Sequence, residues 1–165
     1  MKLSVSRLAG TGILVFCAIA FSGLAATVAG EAHRHARVQA GSAIDQIKLD
    51  AGKKWSTDAA LRSGMAAIRA AFETDHARID SGNEADAEYD ALVERIEAQV
   101  NGLFRNCHLP AAADANLHFL IADLLRGAGV MRGRDPAHER HQGAQLVHGA
   151  LAAYGRTFDD PHWAP

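Results

Sequence analysis

From residue 57 onward the apolar residues recur at intervals of three and four. Leu61, Met65, Ile68, Phe72, His76 and Ile79 are spaced 4, 3, 4, 4 and 3, the signature of one face of a helix. Thr57 is the expected N-cap, with Asp58 favourably placed for the helix dipole, and Ser81-Gly82-Asn83 ends the segment. A second helix is predicted from about Glu84 to Asn106, burying Tyr89, Leu92, Val93, Ile96, Val100, Leu103, Phe104 and Cys107. Leu109-Pro110 interrupts it, because the residue before proline avoids helical dihedrals. A third helix begins between Pro110 and Asp114 and reaches about Met131, lined by Leu117, Leu120, Ile121, Leu124, Ala128 and Met131. Asp135-Pro136 reads as the start of a fourth, an acidic cap followed by proline at the first helical position. It runs to about Thr157 with Ala144, Val147, Leu151, Tyr154 and Phe158 on one face. Four helices of ~20 residues, each ~30 Å long, joined by short turns predict an all-α, up-down-up-down antiparallel four-helix bundle over residues 57–158. The tail, residues 159–165, is expected to fold back.

The first 56 residues follow another pattern. Residues 1–29 combine Lys2 and Arg7, an apolar run around Leu14 to Phe21, and small residues at Ala25, Ala26, Thr27 and Ala29. Basic start, apolar middle and small-residue end are the layout of a secretory signal peptide. The competing reading is an uncleaved anchor, but the run is short for a span of ~20 residues. Residues 30–56 are expected to form an arm, with Ile44, Ile47, Leu49 and Trp55 as isolated apolar pegs against the bundle.

Cleavage changes the composition. The full chain has 165 residues, formal charge −2 and 2 cysteines. The exported remainder has about 135 residues, 15 basic and 19 acidic groups, charge −4, one cysteine and all nine histidines. This charge lacks the basic footprint of a nucleic-acid binder, and one cysteine builds no disulfide scaffold. The expected compartment is the periplasm. No serine triad, paired-carboxylate site or phosphate loop can be picked out, so no enzyme activity is expected.

The candidate chemistry lies in histidine and sulfur. In an antiparallel bundle Met65, Cys107, His108, His118 and His148 fall in one half, and His76, Met131, His138 and His141 in the other. Imidazole with soft sulfur suits copper, zinc or haem iron. Each residue also has a plain role. A core methionine ordinarily packs, Cys107 serves as a small buried hydrophobe or forms a disulfide dimer, and His118 borders the core. His138 and His141 stand one turn apart on the fourth helix, a chelating spacing that solvated histidines share. Cleavage after Gly30 would leave Glu31-Ala32-His33 at the new end, a square-planar Cu(II) or Ni(II) motif. Cleavage after Ala29 would remove it. The glycines and alanines of the fourth helix, Gly143, Ala144, Gly149, Ala150 and Gly155 among them, suit close helix packing or a cofactor's space.

The stretch from about Thr57 to Phe158 resembles the periplasmic four-helix-bundle cytochromes. In the b-type members a methionine early in the first helix and a histidine late in the fourth bind haem, and the resemblance carries these roles to Met65 and His148. The c-prime members attach haem through Cys-x-x-Cys-His, whereas this chain has Asn106-Cys107-His108. Three readings therefore compete: a non-enzymatic periplasmic bundle binding copper or zinc, a structural or partner-binding protein with incidental histidines, and a haem b electron-transfer protein.

Overall fold

The computed structural model describes residues 41–135 and 137–163. The signal-peptide reading, its cleavage site and the Glu31-Ala32-His33 motif lie outside the described residues. The described chain is all-α apart from one two-stranded pairing. After a single 3-10 turn at Ala43–Gln46 come β1 (Trp55–Ser56), α1 (Ala59–Asp80), α2 (Asp86–Asn106), α3 (Ala111–Met131), α4 (Arg140–Thr157) and β2 (Phe158–Asp159). No helix among the described residues is long and apolar enough to cross a membrane.

The helix starts show how local chemistry sets the boundaries. Asp58, not Thr57, caps α1, its Oδ1 accepting from Leu61 N at 2.7 Å. Thr57 instead donates its hydroxyl to Asp159 O at 2.7 Å, beside the parallel pairing of Trp55 with Phe158. The start of α4 also shifts. Asp135 makes a turn of its own, accepting from Ala137 N at 2.9 Å and facing His138 Nδ1 at 2.7 Å. The helix then begins at Arg140, where Gln142 Oε1 accepts from Glu139 N at 2.9 Å. His138 consequently precedes the helix, and the one-turn helical spacing expected of His138 and His141 does not arise.

Helix α1 packs on α2 and α4, and α3 packs on α2 and α4. The predicted apolar faces of α3 and α4 are buried in full, and with Leu61, Met65, Ile68, Phe72 and Ile79 they form one core. The tightest approach joins α3 to α4. A β-carbon on Gly127 would stand 2.7 Å from Gly143 O, and one on Gly143 would stand 2.5 Å from Gly127 O. Only hydrogen side chains permit that spacing, so these glycines serve close packing.

Three apolar expectations fail: Leu49 of the arm is 44% exposed, and one position in each of α2 and α1 departs from its face. Phe104 is 56% exposed, since the end of α2 turns it toward His118, with ring centres 6.3 Å apart. In α1 the buried member of the fifth turn is Asp75, not His76. Asp75 is paired in that place: Arg78 reaches it at 2.6 Å and Arg95 at 2.5 Å. Arg78 also bonds Glu84 at 2.8 Å, which raises the pKa of its guanidinium. Burial pushes the Glu84 carboxyl above the usual range, and its Oε1 lacks a hydrogen-bond partner. Asp123 is the matching surprise in α3. It is buried, and it accepts from the Ser42 hydroxyl and from Ile44 N, tying the 3-10 turn to the helices.

Candidate functional site in the α1–α4 groove

The other side of α4 is open. Between it and α1 lies a groove of about 530 Å³, within the size range of small-molecule sites. Its apolar lining includes Phe72, Leu151 and Trp163, and its polar lining includes His76 and His148. Displacing His76 from the buried stripe, with Asp75 in its stead, is what gives the imidazole to the groove. His148 follows buried Val147 on α4 and also faces out.

The two rings meet. Their centres are 5.5 Å apart with the planes at 57°. Phe72 supports both, at 5.4 Å from His76 and stacked at 5.8 Å on His148. Asp80 Oδ2 stands 3.3 Å from His76 Nε2. This is a close approach between two exposed side chains; a carboxylate hydrogen-bonded to a ring nitrogen is a common orienting partner of a metal-binding imidazole. With metal–nitrogen bonds of ~2.0–2.1 Å, two imidazoles on one ion have ring centres about 5–6.5 Å apart. The observed spacing falls in that interval. The bundle-level reading that separated His76 from His148 is thus corrected, since His148 sits near the middle of α4 and the helices bring the two together.

The other candidates are not gathered with them. Met65 is fully buried in the core and is not part of the groove lining, so the structure does not turn Met65 and His148 onto one cavity. His108 is exposed, with its backbone N donating to Asp58 Oδ2 at 2.6 Å and its ring Nδ1 2.8 Å from Asn106 O. His118 Nδ1 lies 2.8 Å from Asp114 O. His138 faces Asp135 in the turn, and His141 is exposed. Among the described residues no three His, Cys, Asp or Glu side chains converge as a metal-binding group.

Cys107 is the C-cap of α2 and half-buried. Burial, with Asp58 and Asp114 nearby, pushes its thiol up to about 11. A metal takes the thiolate, so this environment works against Cys107 as a ligand. Burial first, then the hydroxyl's bond to Asp160 Oδ2 at 3.0 Å, likewise raises Tyr154 above the ordinary phenol range. Asp58 is held below the usual carboxylate range; burial opposes this, but the His108 and Leu61 amides overcome it.

At the other end of the groove, Trp163 folds back from the tail. Its indole meets Tyr154 edge-on at 4.7 Å and lies under the Arg69 guanidinium at 4.9 Å. Arg69 Nε also bonds Glu73 Oε1 at 2.6 Å. Lys54 Nζ donates to Gly155 O at 2.7 Å. Arg69, Glu73, Arg156, Lys54 and Trp163 did not stand out as site residues in the sequence. Gly155 was the available signal, because a β-carbon there would come within 2.6 Å of the indole. Comparisons of this chain with family models, curated proteins and solved structures returned no match.

Proposed function

We propose that this chain is an exported, non-enzymatic up-down-up-down helical bundle that holds one copper or zinc ion between His76 and His148. The observation that carries the reading is the 5.5 Å separation of the two rings at the edge of an open groove. Imidazole is a suitable ligand for both metals. Asp80 stands beside His76, and the Phe72 ring packs near both imidazoles. Two protein ligands leave coordination positions for solvent or a small ligand, as in a carrier or sensor that must exchange its ion. The periplasm is the proposed compartment, on the strength of the basic start, apolar run and small-residue end of residues 1–29.

Equilibrium dialysis against Zn²⁺ followed by metal analysis tests the reading. One ion per chain should be retained at micromolar concentrations, and the His76→Ala and His148→Ala variants should each weaken retention at least about tenfold, a typical loss at a metal site. Equal retention by the parent and both variants contradicts it.

A further inference from the structure

We propose that the same groove takes an apolar monocarboxylate about 10 Å long, of the medium-chain fatty-acid class, with its carboxylate at the Lys54–Arg156 end. This goes beyond the metal reading and does not depend on it. The lining is unbalanced in charge: Lys54, Arg69 and Arg156 face one carboxylate, Glu73. Glu73 is already engaged, since its Oε1 accepts from Arg69 Nε at 2.6 Å. Lys54 spends one N–H on Gly155 O at 2.7 Å, and an ammonium has three to donate. Positive charge is therefore concentrated at the Trp163 end, where an anion's oxygens would meet the remaining N–H groups of Lys54 and the Arg156 guanidinium.

The floor of the groove is apolar and has a defined length. From Gly155, beside Trp163, back to His148 is seven residues of α4, and from Arg69 to His76 is seven residues of α1. At 1.5 Å per residue each segment is ~10.5 Å long. Phe72, Leu151 and the indole lie along it. A carboxylate of about eight carbons matches that length, covering its methylenes on these side chains while its head meets the cationic end. A neutral alcohol of equal length would gain the floor but not the head.

The test uses the full chain carrying Trp55→Phe, which leaves Trp163 as the single tryptophan, in buffer with a chelator so that metal plays no part. Trp163 emission is titrated with octanoate, with 1-octanol and with acetate. Saturable octanoate binding is expected, at least tenfold tighter than octanol, with acetate silent. From hexanoate to octanoate the affinity should rise about fourfold per methylene. In a Lys54→Gln/Arg156→Gln variant octanoate should weaken at least tenfold. Ala152→Phe, at an exposed position of α4 that lines the groove, should abolish binding while the helical circular dichroism stays unchanged. Octanol binding as well as octanoate, or octanoate binding unaffected by either variant, overturns the proposal. Because the titration is metal-free, its failure leaves the His76–His148 reading to its own experiment.

Discussion

Helix α4 has two unlike sides. Toward α3, Gly143 meets Gly127 so closely that a methyl group on either would collide with backbone. Toward α1, the same helix leaves a groove of about 530 Å³. The difference lies in what occupies each turn. Where both partners present glycine the backbones touch. Where α1 presents Arg69, Phe72, Glu73 and His76, and α4 presents His148 and Leu151, the longer side chains hold the helices apart at the surface. A rigid side and an open side on one helix is how a small bundle keeps a site without losing its core, since binding groups are most precise on rigid elements.

Substitutions can break either side. Gly143→Val should be the most damaging, because both the Gly127 carbonyl and the Met131 amide lie in the way. Overpacking of this kind costs about 1–3 kcal/mol or somewhat more, read as a drop in urea midpoint. Asp75 and His76 give the next contrast, being neighbours in one turn of α1. Asp75→Ala removes the buried carboxylate that Arg78 and Arg95 share and should cost about 1–3 kcal/mol, whereas His76→Ala, at the groove, should stay within about 0.5 kcal/mol. The smallest effect has the opposite sign. Gly129 has open space where a β-carbon would go, so Gly129→Ala should stabilise by about 0.5–1 kcal/mol through helix propensity. If Gly129→Ala and Gly143→Val moved stability in the same direction, the close contact would not be the reason for glycine at 143.

Cys107 sharpens the contrast between closed and open chemistry. Its thiol is pushed up to about 11 by burial and then by the neighbouring carboxylates. Alkylation of the folded protein near pH 8 should therefore run about a hundredfold slower than for an ordinary cysteine, in proportion to the thiolate fraction. The same shift links to stability. The folded state keeps the thiol proton while the unfolded chain loses it, so this contribution is complete below about pH 9 and is lost as pH rises toward 11. Cys107→Ala should flatten the fall in melting temperature over that range; an unchanged slope would assign it to another group.

The helices were legible because their apolar faces are local and periodic. The core faces of α3 and α4 were read residue by residue. Boundaries slipped where one polar side chain decided them, as with Asp58 for Thr57 and the Asp135 turn that delays α4 to Arg140. The groove was only half legible. His76 and His148 were both candidates, but their meeting depends on the offset of α1 against α4, which periodicity does not encode. Asp75 was hidden because its partner Arg95 is 20 residues away. The cationic end was hidden because Lys54, Arg69 and Trp163 come from three separate parts of the chain.

The central claim is that His76 and His148 act together on one ion. Competition for Cu(I) with a chromophoric chelator, run on the full chain, His76→Ala, His148→Ala and the double variant, tests it most directly. If the rings share an ion, each single variant weakens binding at least about tenfold and the double variant adds little, while His138→Ala/His141→Ala matches the parent. Equal Cu(I) affinity in all four proteins, or loss only on removing His138 and His141, would contradict the account.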